Sequence, residues 1–288
     1  RDAGLTEVIV ASLDSDDLSE DQAAAIIAAA VVPDPDAAGL RLSDASTGRV
    51  NIYATGPGVL QVQADAVEAL NAVDPMLTLA TLPPLARVRA RQMGGTGKII
   101  AYGVKETQAH AAAQAGAQAL TRAPVRLSSA DLIMTSLTGE TSVKGEAAIA
   151  GRLDALGMDL ASVTTVGHSE AEIANALGAS TSDLALILTA AATSDSHDVG
   201  PEAVRRAGGN VTRFGLPVDP GNLLFLGDLK GRPVIGLPGC ARSPALNGAD
   251  WVLERVACGL PPSATDMAAM GVGGLLKESP ARPHPRDS

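Results

Sequence analysis

Three loops in the second half of the chain carry the residue types needed to hold a small polar or phosphorylated ligand. Thr135-Ser136-Leu137-Thr138-Gly139 closes an apolar run and sets hydroxyls beside a glycine. Such a loop approaches a phosphate closely when the next helix start adds N–H donors and a favourable dipole. The plain alternative is a loop that only begins a helix. A second loop, Thr189–Asp198, has small side chains at Ala190–Ala192, which admit a ligand to the backbone. Its carboxylates, Asp195 and Asp198, could hold Mg²⁺ or accept hydrogen bonds from a polar ring, and Asp198 equally well caps the following helix. His197 lacks a Cys or His partner and reads as a solvated loop residue. The third feature is a pair of glycine-bearing loops, Pro217–Asn222 and Leu237–Pro244, on either side of a predicted hairpin and therefore neighbours in space. Asp219 and Asn222 supply acceptors and donors, Arg242 a fork suited to phosphate, and Ser243 a hydroxyl at an expected helix start with Pro244 at its first position. Cys240 has no neighbouring His or Lys to lower its pKa and reads as a small buried side chain.

The elements that must position these loops alternate regularly. Ala130–Leu137 predicts a buried strand, Gly145–Leu156 an amphipathic helix and Leu160–Val166 a second strand. Ser169-x-x-Glu172 predicts a capped helix running to Ala179, followed by the continuous apolar strand Asp183–Thr189. A helix from Asp198 stops at Gly208-Gly209, strand Asn210–Phe214 follows, and Leu223–Leu226 and Pro233–Leu237 flank a hairpin turn at 227–231. Pro244–Cys258 predicts the last helix. Alternation of this kind predicts a doubly wound, mostly parallel α/β sheet, which binds ligands beyond the carboxyl ends of its strands.

The first 125 residues have a different texture, with short strand-like pieces separated by Pro and Gly: Glu7–Ala11, Arg49–Ala54, Val59–Val62, Met76–Leu82 and Lys98–Val104. Helical periodicity appears in Ser19–Val31, which opens with the capping box Ser19-x-x-Gln22, in Ala64–Asn71 and in Glu106–Leu120. These features predict an α+β domain over 1–125, an α/β domain over 126–276 and a Pro/Arg-rich tail or linker over 277–288.

Composition excludes several classes of function. Apolar residues make up 46% of the 288, enough for a sizeable core. Aromatics are 2% and the net charge is −10, which argues against a stacking platform or basic face for nucleic acid and against an anionic membrane. Two cysteines, Cys240 and Cys258, are too few for a disulfide framework or a four-Cys zinc site. No apolar run is long enough to span a bilayer, and no signal peptide opens the chain. A cytoplasmic protein is expected; the start at Arg1 suggests a trimmed fragment.

The run Gly215–Gly239 (GLPVDPGNLLFLGDLKGRPVIGLPG) resembles the molybdopterin-binding fold shared by the molybdenum cofactor enzymes MogA, MoaB and MoeA, and is especially similar to the MoeA-like pattern P-x-D-P-G-N, hairpin, G-x-P-G. Cys240–Trp251 and Met270–Leu276 resemble a bacterial subgroup in which a MoeA-like region precedes a molybdenum cofactor cytidylyltransferase domain. Gly48–Asn51, Leu70–Asp74 and Thr78–Pro84 agree with that subgroup. The resemblance implies molybdopterin as ligand, with Mg²⁺ and an adenylylated intermediate in some members. It implies one wall made of Asp219, Gly221, Asn222, Gly239, Arg242 and Ser243. The other wall would be Thr138, Gly139, Asp195 and Asp198, with the two aspartates in catalytic roles and Asp198 as metal ligand. Where MogA and MoaB carry Gly-Gly-Thr-Gly, this chain has Thr189-Ala190-Ala191-Ala192, so methyl groups replace hydrogens.

The resemblance further implies a role late in molybdenum cofactor synthesis: holding the pterin phosphate for nucleotidyl transfer, or inserting molybdenum as a transferase. Expected partners are a nucleotidyltransferase domain or a molybdoenzyme maturation partner, and a second copy of the chain. A non-catalytic dimerisation or docking scaffold that retains the fold is the alternative. Gly94-Gly95-Thr96-Gly97-Lys98 hints at a P-loop, but Gln92 stands where the first glycine belongs and Ile99 where Ser or Thr would bind Mg²⁺. It is expected to be a flexible turn.

Overall fold

The structure, a computed structural model, describes residues 2, 4, 7, 10–138 and 143–278. The chain divides between Pro124 and Val125 into two compact units.

The first unit is antiparallel. Its strands are β1 (Asp17–Ser19), β2 (Leu40–Leu42), β3 (Arg49–Ala54), β4 (Gly58–Val62), β5 (Leu77–Thr81), β6 (Arg87–Val88), β7 (Met93–Ile99), β8 (Gly103–Lys105) and β9 (Leu120–Pro124). They form a four-stranded sheet in the order β2-β3-β7-β5, a three-stranded sheet β6-β4-β9 and the pair β1-β8. Helices α1 (Glu20–Val31), α2 (Pro35–Ala38), α3 (Ala64–Val73) and α4 (Glu106–Ala115) accompany them, and Ile27, Val31, Ile52, Leu70 and Leu120 belong to the shared core. The Ser19–Gln22 capping box forms as the sequence predicts, with Gln22 N donating to Ser19 Oγ and Ser19 N to Gln22 Oε1.

Four expectations for this unit are corrected, beginning with strand Lys98–Val104, which is interrupted at Ile100–Tyr102 between the end of β7 and the start of β8. Glu7, Val10 and Ala11 lie outside any strand, and Val8 and Ile9 lie outside the described residues. Helix α4 ends at Ala115, because Leu120 already begins a strand paired with β4. The Gly94–Gly97 run is not a flexible turn but the interior of β7, hydrogen-bonded to β3 on one side and β5 on the other. Gly94 and Gly95 are required by packing. A Cβ on Gly94 would lie 3.1 Å from the Leu60 side chain, and one on Gly95 3.1 Å from Leu120 and 3.2 Å from the Ala80 carbonyl.

The second unit is the doubly wound α/β sheet expected from the alternation. Its strands are β10 (Ser129–Ser136), β11 (Asp159–Gly167), β12 (Leu184–Leu188), β13 (Asn210–Phe214), β14 (Phe225–Leu229) and β15 (Arg232–Leu237), in the order β11-β10-β12-β15-β14-β13. The first four are parallel; β14 is antiparallel to both of its neighbours. Helices α5 (Val143–Asp154), α6 (Glu170–Ala179), α7 (Val199–Arg206), α8 (Gly248–Ala257) and α9 (Ala264–Ala269) complete the unit.

Period-two alternation in the strands sorts the core into two layers. Leu132, Met134, Leu186 and Leu188 pack with Ile149 and Leu153 of α5 and Val252 of α8. Ile133, Ala185 and Ile187 pack with Ile173 and Leu177 of α6 and Val204 of α7. Each fully buried leucine or isoleucine contributes roughly 1.5–3 kcal/mol through burial. At the amino end of β10, buried Asp131 accepts hydrogen bonds from Ser162 Oγ (2.6 Å), Ser180 Oγ (2.5 Å), Ser182 Oγ (2.9 Å) and the amides of Thr181 and Ser182. Burial alone would raise its pKa. The hydrogen bonds to the ionised form outweigh burial and hold the carboxyl well below the usual range. This network joins three segments far from the sheet's carboxyl end.

The helix expected to be the last, α8, departs from expectation and is followed by α9. It begins at Gly248, with Asn247 as N-cap and Asp250 closing a capping box, rather than at Pro244. Residues Gly239–Arg242 instead form a short 3₁₀ turn. Among the described residues, no helix is long and apolar enough to cross a membrane.

Candidate functional site

The chain leaves β10 toward β11 on one side and leaves β12 toward the opposite side of the sheet, so β10 and β12 frame the topological switch point. Their carboxyl ends are tied by Thr135: its Oγ1 accepts from Ala190 N at 2.7 Å and lies 3.0 Å from His168 Nδ1. Thr138 is exposed, and its amide donates to Ser136 Oγ at 3.2 Å. Gly139 lies outside the described residues.

The loop after β12 spends its polar groups on itself. Asp198 caps α7, accepting from Val199 N at 2.7 Å on one oxygen and from Ser194 N at 3.0 Å on the other. Asp195 accepts from His197 N at 2.7 Å. His197 Nδ1 lies 3.1 Å from Glu202 Oε1, within the same turn. Mg²⁺ needs near-octahedral oxygen ligation, typically with several waters. Both Asp198 oxygens already serve backbone amides, and the one cluster of metal-competent side chains among the described residues is Asp14, Asp16 and Asp17. Lys105 fills that cluster, with Nζ at 2.8–3.1 Å from all three. The donor set at Asp195 and Asp198 does not fit a divalent cation.

The paired loops around the hairpin do make a cleft. It has a volume of about 460 Å³ and is bounded by Asp219, Asn222, Gly239, Cys240, Ser243 and Lys277, with Ala192, Pro220, Gly221 and Ala245 also on its wall. Five residues singled out from the sequence therefore converge here: Asp219, Gly221, Asn222, Gly239 and Ser243. Thr138, Asp195, Asp198 and Arg242 are not on its lining. Arg242 instead donates from Nη2 to the Thr189 carbonyl at 2.7 Å, and burial lowers the pKa of its guanidinium. That bond braces the end of β12 against the 3₁₀ turn, while Nη1 lies 3.7 Å from where a Cβ on Gly239 would sit.

The Asp219–Pro220 peptide is cis, and Gly221 follows at φ 136°, a conformation open to glycine. A Cβ there would meet Gly248 N at 2.6 Å, so the loop lies directly against the start of α8. That helix start is not an open anion site: Gly248 N donates to the Pro220 carbonyl and Ala249 N to Asn247 Oδ1, both at 2.8 Å.

The opposite wall is held by Arg152, which sequence reasoning missed. From α5 its buried guanidinium donates to Asp250 Oδ1 (2.7 Å) and to the carbonyls of Ala148, Ala241, Ser243 and Ala245 (2.9–3.2 Å). All five donors are used, three on the loop that carries Ser243. Its spacing with Ile149 and Leu153 on the apolar face of α5 was the available signal. Cys240 is half-buried, and burial pushes its thiol pKa up, which leaves it a weak nucleophile near neutral pH.

The third contributor, also missed, is the closing segment. Leu275 makes a parallel bridge with Asp219: Asp219 N donates to the Gly274 carbonyl (2.8 Å) and Leu276 N to the Asp219 carbonyl (2.9 Å). Lys277 Nζ lies 2.6 Å from Asp219 Oδ2. Nothing local in the sequence signals this long-range contact.

Residues 128–256 match the family model described as "Probable molybdopterin binding domain". No curated protein matches the chain. Similar solved structures include the molybdopterin biosynthesis moea protein from Pyrococcus horikosii, at 15% identity and TM-score 0.37, covering 73% of this chain and 69% of that one. A molybdopterin biosynthesis protein from Mycobacterium abscessus aligns at 15% identity and TM-score 0.33, over 47% and 94% of the two chains. The protein CinA from Thermoplasma acidophilum aligns at 16% identity and TM-score 0.34, over 40% and 90%. The matched segment, residues 128–256, contains the parallel sheet and the two loops that build the cleft.

Proposed function

We propose that the cleft between the 219–223 and 238–245 loops binds molybdopterin and presents its terminal phosphate for a late step of molybdenum cofactor synthesis, nucleotidyl transfer or molybdenum insertion. The observation that carries this reading is the convergence of Asp219, Gly221, Asn222, Gly239 and Ser243 on one cleft within the segment that matches the family. The volume suits a ligand of that size. The exposed Asn222 and Ser243 side chains are placed to hydrogen-bond a polar ring or phosphate oxygen. Arg152 keeps the Ser243 wall in position, so binding draws on a preorganised loop. The contribution of the chain is binding and orientation. The partner that consumes the ligand is a nucleotidyltransferase domain or a molybdoenzyme maturation protein.

Titration of the purified chain with molybdopterin, followed by pterin fluorescence, tests this. Saturable binding is expected, weakened about tenfold in Asn222→Ala and in Ser243→Ala, the loss of one hydrogen bond to a charged or polar ligand. A folded wild type that does not bind would overturn the ligand assignment and favour a docking scaffold.

A further inference from the structure

We propose that Lys277 is the phosphate-contacting residue of this cleft, and that its ammonium leaves Asp219 for the ligand's phosphate when the cleft fills. The inference rests on the molybdopterin reading and goes past the family match, which ends at residue 256.

Among the described residues, the charged side chains on the cleft lining are Asp219 and Lys277. With both present the lining is neutral; without Lys277 it carries a lone carboxylate facing the space a phosphate would occupy. Arg242, the cation expected from the sequence to serve the phosphate, is off the lining and bound to the Thr189 carbonyl. The α8 helix start is occupied by its own cap and by the Pro220 carbonyl. Among the described residues, Lys277 is therefore the cation on the cleft lining that can meet an oxyanion.

Its geometry suits exchange. The Lys277 and Asp219 side chains are 25% and 34% exposed, so solvent partly screens their pairing and reaches the ammonium. The backbone around them does not depend on the ion pair. The two hydrogen bonds that join Asp219 to Gly274 and Leu276 hold the segment in place while the flexible Lys277 stem swings.

Molybdopterin titrations of wild type, Lys277→Met and Lys277→Arg over a range of salt concentrations decide the point. Lys277→Met should bind at least tenfold more weakly than wild type and with a shallower salt dependence, while Lys277→Arg stays within a few-fold of wild type. Inorganic phosphate should compete with molybdopterin on wild type and far less on Lys277→Met. A merely structural lysine would leave the salt slope and the phosphate competition unchanged. Equal binding and equal slopes for Lys277→Met and wild type would overturn the assignment while the molybdopterin reading stands. Failure of folded wild type to bind would overturn both.

Discussion

The loop after β12 and the loop after β13 each offer aspartates to the same end of one sheet, yet they use them in opposite ways. At 195–198 the carboxylates turn inward to backbone amides and build the start of α7. At 219 the backbone groups are taken by the Gly274–Leu276 segment, and the carboxylate is left on the wall of a cleft, paired with Lys277. An acidic residue beyond a parallel strand is thus not by itself a sign of chemistry. What separates the two is whether the backbone around the carboxylate is still owed hydrogen bonds. The 195–198 turn owes several and collects them from its side chains; the 219 loop is satisfied by a distant segment, which frees its carboxylate.

Substitutions should break this contrast in order of size. Arg152→Ala removes the brace of the cleft's second wall and strands buried Asp250; about 3–5 kcal/mol of stability should be lost in denaturant unfolding, together with ligand binding. Gly221→Ala forces a Cβ into the Gly248 backbone at an unfavourable φ and should cost on the order of 1–3 kcal/mol. Asp198→Ala should cost about 1 kcal/mol as a lost cap, while Asp198→Asn, an equally good cap, should leave the unfolding midpoint nearly unchanged.

A third carboxylate sharpens the comparison through pH. Asp131 is held low in the folded protein, so its stabilisation is complete above the unfolded value near 3.8 and is lost as pH falls below it. Urea midpoints measured from pH 7 down to pH 3 should drop more steeply for wild type than for Asp131→Asn.

Much of the second unit was legible because its signals are local. Apolar runs such as Leu184–Leu188, the Ser169 and Asp198 caps and the 228–231 turn each declare an element without help from elsewhere. The helix start at Gly248 was legible too, since Asn247 and Asp250 stand at capping-box spacing, but the nearer Pro244 drew the boundary forward. The Gly94–Gly97 run looked like a turn because close packing against Leu60 and Leu120 cannot be seen along the chain. At the site, the loop glycines and Asn222 were legible as a motif. Arg152 and Lys277 were not, because both act on segments roughly 60 to 100 residues away in sequence, across contacts that only the fold creates.

The central claim is that ligand binds in the 219–245 cleft and not at the 195–198 turn. Gly239 is exposed on the cleft wall, and a Cβ there would meet only Arg242 at an ordinary 3.7 Å, so Gly239→Leu should fold normally and fill the cleft. Side-by-side molybdopterin titrations of Gly239→Leu and Asp198→Asn are the most direct test. The account predicts loss of binding in Gly239→Leu and wild-type affinity in Asp198→Asn. Binding retained in Gly239→Leu and lost in a folded Asp198→Asn would contradict it.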